Sequence, residues 1–363
     1  MPFHNTLRIQ WLGDIALTER YCDPTFHDSF RANVTRVATE LDPADVRIVN
    51  WEAPLLADEG SNPEKELTIH TVEEAAKTLT AIRVDVALLA NNHAFDCLLS
   101  GFEKTLSFFA SRGVRWVGAG RTQAECSAPL LMDVQGKQLA ILNYVGPETH
   151  PWLPNRSDMC LNMLEPDRVL DEVSHWSKRS FAVLVNFHWG MDFLSLPAPE
   201  HRSLARKAID AGATTVVGHH PHCLQGYERR GKGLIFYSLG NFLAGSIYPW
   251  PRFSEPTVSL TCAVEAHRVV DFRIQPFTLR DGILAPDSSN RCMNRLEVLN
   301  RRIQADEKRY ARYWAGALAY NLALFRPYHF VRRNRNPLKI LSNLKRRHAR
   351  EYMDLIRRAF CIK

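Results

Sequence analysis

Residues 214–222 read Thr214-Thr215-Val216-Val217-Gly218-His219-His220-Pro221-His222. The first four are β-branched and suit a buried strand, and Gly218 and Pro221 mark the turn that ends it. Three imidazoles therefore leave the end of a strand within four positions. Imidazole is the commonest side-chain ligand for a transition metal, and a loop leaving a strand can aim two of them at one point. On its own the triplet is equally a polar surface turn. The stretches at the other strand ends decide between the two.

Outward from this loop, β-rich runs alternate with helical spacing as far as about residue 280. Leu7–Gly13, Val46–Trp51, Val84–Ala90, Phe181–Phe187 and Thr214–Gly218 have the composition of strands. Phe30–Leu41, Val72–Ile82, Phe102–Arg112, Asp167–Lys178 and Glu200–Ala211 have helical periodicity. This alternation predicts a layered α/β domain with a largely parallel sheet. A second group pairs locally: Leu130–Val134 and Gln138–Tyr144 flank the hairpin signal Gln135-Gly136-Lys137. Leu234–Leu239, Thr257–Ala266 and Val269–Phe277 follow with few helices between them. Two sheets packed face to face and flanked by helices use all of these runs.

Open α/β sheets present ligands at the carboxyl ends of their strands. Five polar stretches sit there: Gly13-Asp14, Asn50-Trp51-Glu52-Ala53-Pro54, Asn91-Asn92-His93-Ala94-Phe95-Asp96, His188-Trp189-Gly190 and Gly218-His219-His220-Pro221-His222. Singly, each has an ordinary explanation. Asp14 is a turn or cap, Glu52 a solvated carboxylate, Asn91-Asn92 a turn pair and His188 a satisfied buried histidine. One shared metal site accounts for all five at once. Carboxylate and imidazole together suit Mn, Fe or Zn better than Ca.

At 363 residues and 45% hydrophobic, the chain suffices for one large domain, or one domain with an appendage. Met1–Gln10 has no basic start followed by an apolar stretch, and no window of about 18 apolar residues occurs, so a cytoplasmic or membrane-peripheral protein is expected. The eight cysteines are scattered, with no Cys-x-x-Cys pair, which argues for reduced thiols rather than a thiolate zinc site.

Charge is uneven. Residues 291–363 carry 19 Lys and Arg against 5 Asp and Glu, a net of +14, while the other 290 residues carry 27 against 34, a net of −7. Pro286–Asn290 is linker-like, and two helices are predicted beyond it, Asn294–Phe325 and Leu338–Phe360. The expected division is therefore a domain over 1–290 and a basic helical extension over 291–363. Aromatic residues interleaved with Arg suit an anionic membrane better than a DNA groove, and no motif for sequence-specific nucleic-acid reading is present. The alternative is an appendage packed on the sandwich. Oligomeric state is not legible.

Together with Tyr237-Ser238-Leu239-Gly240-Asn241-Phe242, the five stretches resemble the CapA domain of bacterial capsule and poly-γ-glutamate synthesis proteins, over about residues 7–280. That family looks like a divergent branch of the calcineurin-like metallophosphoesterases. The resemblance implies a four-layer α/β/β/α sandwich holding one or two divalent ions. Carried over by position, it assigns Asp14, Glu52, Asn92, His188, His220 and His222 as ligands. His93 takes the place of the outer-sphere histidine that protonates a leaving oxygen, and His219 that of a histidine touching the substrate's phosphate or carboxylate. Asn50, Asn91, Asp96 and Asn241 are assigned to substrate contacts. Two positions depart from the pattern: Ala16 stands where the superfamily's Asp-x-His motif has His, and Asp192 where the capsule family has Glu. The implied function is a metal-dependent hydrolase, phosphoesterase-like, acting on an anionic substrate or polymer in capsule, exopolysaccharide or poly-γ-glutamate metabolism. The alternative is a non-catalytic scaffold, or a polymer- or membrane-binding component of such a system.

Overall fold

A computed structural model describes residues 5–65, 67–152, 158–244 and 255–322. In chain order its strands begin with β1 (Leu7–Ala16), β2 (Val46–Trp51), β3 (Val86–Leu88), β4 (Arg115–Val117), β5 (Ala119–Gly120), β6 (Leu130–Val134), β7 (Lys137–Val145) and β8 (Cys160–Leu161). They continue with β9 (Ala182–His188), β10 (Thr215–His219), β11 (Tyr227–Arg230), β12 (Gly233–Phe236), β13 (Asn241–Ala244), β14 (Glu255–Glu265), β15 (Arg268–Arg280) and β16 (Ile283–Pro286). The α-helices are α1 (His27–Glu40), α2 (Glu73–Thr78), α3 (Leu98–Ala110), α4 (Gln123–Ser127), α5 (Pro166–Ser177), α6 (Pro199–Asp210), α7 (Arg291–Ile303) and α8 (Glu307–Tyr320).

The first sheet runs β16-β15-β14-β1-β2-β3-β4, with β13 added beside β1; the second runs β11-β12-β10-β9-β7-β6. In each, the centre is parallel; the second sheet has antiparallel hairpins at both edges, whereas the first has them only on its β14–β16 side and ends at β4 in a parallel pair. Parallel strands need crossovers, and the helices fill them. The β6–β7 turn is a tight hairpin through Gln135 (φ 54°) and Gly136 (φ 73°), both left-handed as the predicted turn demands.

Period-two alternation sorts the side chains. Val46 and Ile48 of β2 and Val86 and Leu88 of β3 point between the sheets, in one core with Ile141, Leu184 and Val217. Val49, Trp51 and Ala87 point outward into a second core with Phe30 of α1 and Phe102 of α3. Val169 and Val173 of α5 and Leu204 and Ala205 of α6 join the first core, closing the far face of the second sheet. The layer order is α/β/β/α, as the resemblance implied.

Asn290 starts α7, and Cys292, Leu296, Leu299, Ile303 and Tyr310 belong to the same principal core. The expected helix over Asn294–Phe325 is in fact two helices. It breaks at Asp306, whose carboxylate accepts the Arg309 N–H at 2.9 Å and caps α8. The helix expected over Leu338–Phe360 lies outside the described residues. Among the described residues, no helix is long and apolar enough to cross a membrane.

Candidate metal centre

Strand parity carries the polar groups to one place. Asn50 and Glu52 continue the inward alternation of Val46 and Ile48 past the end of β2. In the facing sheet, Trp11 Nε1 donates to Asn186 Oδ1 at 2.9 Å, which marks the inner face of β9. His188 shares that face two residues on, and His219 of β10 pairs directly with it in the ladder. Asp14 has the wrong parity to join them. A bulge in β1 corrects this: three residues from Trp11 to Asp14 oppose two from Ile48 to Asn50, which turns the carboxylate inward.

The donors are close. Asp14 Oδ1 lies 3.0 Å from His219 Nδ1 and accepts from Asn50 Nδ2 at 3.0 Å. Asp14 Oδ2 accepts the His220 backbone N–H at 3.3 Å and lies 3.3 Å from His222 Nδ1. His188 Nε2 lies 3.6 Å from Glu52 Oε1 and 2.9 Å from Asn92 Oδ1. One ligand atom each from Glu52, His220 and His222 lie within 4.8 Å of one another, all buried. His220 (φ 93°) and His222 (φ 54°) both have left-handed backbone, a conformation that costs an L-residue about 1–2 kcal/mol. Strain of this kind persists where the surroundings fix it, and here it aims imidazoles at the carboxylates.

Burial would raise the Asp14 carboxyl, but hydrogen bonds from His219 and His222 hold it well below the usual carboxylate range. Glu52 goes the other way: burial pushes it up to about 8, with His222 opposing and Asp14 and Asp192 adding. His222 resists its own burial and rises to about 10 because Glu52 and Asp14 face it. Burial lowers His188, helped by His220, and lowers His220 to about 4. Neutral imidazoles at 188 and 220 have lone pairs available to a cation. Five buried polar atoms here have no hydrogen-bond partner: Asn50 Oδ1, Glu52 Oε2, His188 Nδ1, His219 Nε2 and His220 Nδ1. Oxygen and imidazole donors left over in one buried spot are the donor set a divalent transition metal takes.

The polar atoms of Asn91 and Asp96 are engaged within the protein. Asp96 is buried with both oxygens engaged: Oδ1 accepts from Lys65 Nζ at 2.5 Å, and Oδ2 accepts from His93 Nδ1 at 2.6 Å and from the Ile69 N–H at 2.7 Å. It is therefore placed to orient His93. Asn91 is likewise spent on the backbone, donating to Trp51 O at 2.8 Å and accepting the His93 N–H at 3.0 Å. Asn241 Oδ1 lies 2.9 Å from His222 Nδ1, so it positions that ring. His93 thus directs Nδ1 at Asp96, and Nε2 is the ring's other nitrogen.

Lys65 is the residue the sequence did not mark. Its Nζ contacts Asp96, the Asn92 carbonyl at 2.6 Å and His93 Nδ1 at 3.2 Å. A lysine between two glutamates carries no signal of such a role. Glu148 had one, since it follows the end of β7. It accepts the Gly190 N–H at 2.8 Å and pairs with His201 at 3.1 Å, fixing the loop after His188.

The family model described as bacterial capsule synthesis protein PGA_cap matches residues 8–246. The chain belongs to this family. Its relatives include the capsule biosynthesis protein CapA of Bacillus anthracis, 31% identical over 57% of this chain and 52% of that protein. The PGA biosynthesis protein CapA of Bacillus subtilis (strain 168) is 32% identical over 65% of this chain and 62% of that protein. The chain thus spans between half and two thirds of the length of these relatives. Among solved structures, the calcineurin-like phosphoesterase YfkN from Bacillus subtilis aligns with a TM-score of 0.45 and 12% identity, over 82% of this chain and 98% of that one. All of the assigned site residues lie within the span that matches the PGA_cap family.

Proposed function

We propose that this PGA_cap protein is a metal-dependent hydrolase of phosphoesterase type, acting on an anionic substrate of envelope-polymer metabolism. The observation that carries the reading is the convergence of Asp14, Glu52, His188, His219, His220 and His222 from both sheets on one buried point. Asp14, Glu52, Asn92, His188, His220 and His222 would hold Mn, Fe or Zn, as one ion or two. Such an ion supplies Lewis acidity toward a phosphoryl or acyl oxygen.

The chain's own groups do the rest. His219 and Asn50 fix the Asp14 carboxylate from two sides. Asp96 holds the His93 Nδ1 proton, so Nε2 delivers a proton to a departing oxygen only after taking one up to form the imidazolium, a charge that burial opposes and Asp96 favours. Lys65 neutralises Asp96 and locks the turn through the Asn92 carbonyl. The names of the relatives support a substrate from capsule or poly-γ-glutamate biosynthesis.

The test is elemental analysis of protein purified from cells supplied with Mn, Fe and Zn, with turnover of generic phosphomonoesters and phosphodiesters. Stoichiometric metal with turnover, both lost in His188→Ala and His220→Ala, is the expected result. Protein free of all three metals and inactive on both substrates overturns it. The scaffold reading draws on Ala16, which removes a ligand position; stoichiometric metal without turnover would favour it.

A further inference from the structure

Cys126 and Cys160 are 34 positions apart in sequence, yet their Sγ atoms lie 2.7 Å apart. That is little more than the ~2.05 Å of a sulfur–sulfur bond. The approach is built into the fold. β5 and β8 form a two-stranded ladder in which Gly120 stands directly opposite Cys160. A Cβ at Gly120 would meet Glu125 Cβ at 2.6 Å and Cys126 N at 3.0 Å. The absent side chain therefore lets α4 settle against the ladder and sets Cys126 beside Cys160. Thr122 caps α4, its hydroxyl accepting the Glu125 N–H at 3.2 Å, which fixes the helix in that position. Downstream, Asn162 fastens β8 by donating from its backbone N–H to Gly118 O at 2.9 Å and from its side chain to Asn143 O at 2.9 Å.

We propose that Cys126 and Cys160 are an oxidisable thiol pair that closes to a disulfide by exchange with a small-molecule disulfide such as oxidised glutathione. Cys160 is half-buried and Cys126 buried, which orders the steps. Burial and the neighbouring Cys160 sulfur also push the Cys126 thiol up, which makes Cys126 the second to react. The Cys160 thiolate attacks the glutathione disulfide, forming a mixed disulfide and releasing one glutathione thiolate. Cys126 gives its proton to solvent and attacks Cys160 Sγ, forming the internal bond and releasing the second glutathione thiolate. Two protein thiols are oxidised, and one external disulfide is reduced to two thiols. The product staples α4 to β8.

The experiment incubates the full chain with oxidised glutathione and maps its peptides without reduction. A Cys126–Cys160 peptide lighter by two hydrogens than its parts is expected, with the number of titratable thiols falling by two. A loop of this length should raise the unfolding midpoint by about 5 °C, reversed by dithiothreitol. Cys126→Ser and Cys160→Ser should each abolish the rise. An unchanged number of titratable thiols after treatment, a glutathione adduct that stops at Cys160, or a bond to any other cysteine overturns the proposal. Peptide mapping of the unmutated chain decides the matter even if the variants fold poorly.

Discussion

Gly218→Ala tests whether the histidine loop is held by the close approach beneath it. A Cβ at position 218 would lie 2.7 Å from the Tyr237 carbonyl carbon and 2.6 Å from Trp189 Nε1, and nearer still to the Tyr237 oxygen. Carbon atoms in contact rest at about 3.5–4.0 Å, so the backbone must part by about 1 Å. Neither neighbour yields easily. Tyr237 donates its N–H to Gly226 O at 3.0 Å and its hydroxyl to Glu228 at 2.6 Å, and Trp189 Nε1 donates to Tyr237 O at 3.2 Å. Overpacking of this kind costs about 1–3 kcal/mol, and about 2 kcal/mol lowers the folding equilibrium roughly thirtyfold. His219 is the next residue, and a shift of about 1 Å exceeds the ~0.5 Å tolerance of a preorganised site. Urea unfolding with chelator present isolates the folding cost, and metal content of the folded fraction reads the site. Gly316→Ala is the control: exposed on α8 with nothing within 4 Å of the new Cβ, it should stabilise by about 1 kcal/mol. A Gly218→Ala protein with an unchanged urea midpoint and full metal content would refute the reasoning.

Other outcomes follow from the same contacts. His93→Ala should lower turnover by about 10²–10⁴-fold with metal content intact, because it removes the proposed general acid and none of the proposed ligands; loss of metal would reassign it. Lys65→Met should lower turnover about 10–100-fold with metal retained, and Lys65→Arg should recover part of it, as expected of a group that positions His93 through Asp96. Equal rates for the Lys65→Met variant and the unmutated protein would remove Lys65 from the site. We propose that the basic tail contacts anionic membrane, which predicts salt-sensitive vesicle binding that is lost on truncation after Leu322. Unchanged binding rejects the contact. Truncation at 290 cannot serve, since it strips Leu296, Leu299, Ile303 and Tyr310 from the core and should unfold the protein, as circular dichroism would report.

Much of the fold was legible because its signals are local. Val46–Trp51 and Leu130–Val134 were placed to the residue, and helices α1, α2, α3, α5 and α6 were each found, because alternation and 3.6-residue spacing survive in short windows. The short α4, Gln123–Ser127, spans too little chain to show a period and was missed. The break between α7 and α8 was also missed, although Asp306 and its capped Arg309 N–H announce it; continuous apolar spacing on either side hid the cap. What no window contains is contact between distant segments. Lys65 meets Asp96 across 31 positions and Cys126 meets Cys160 across 34, and Lys65 and the two cysteines belong to no motif. Asp96 and Asn91 are legible as part of the site, but their partners Lys65, His93 and Trp51 are not. Their place in the motif told nothing of which way the loop turns them.

Asp14 shows where local reasoning reaches its limit. Counted by alternation from Leu7, Ile9 and Trp11, it should point away from the site, and only the bulge brings it in. The trace of that bulge is Gly13. A Cβ there would sit 3.0 Å from the Gly240 carbonyl carbon and closer to its oxygen, which instead accepts the Asp14 N–H at 2.9 Å. Gly240 itself takes φ 75°, a conformation natural to glycine. The Gly13-Asp14 stretch and the Tyr237–Phe242 stretch, far apart in the chain, are thus two sides of one seam between β1 and β13. One side carries the carboxylate, and the other carries the backbone that holds it in place, with Asn241 reaching across to His222. The second stretch belongs to the site mainly through backbone geometry, which is why its apolar side chains disclose so little of its role.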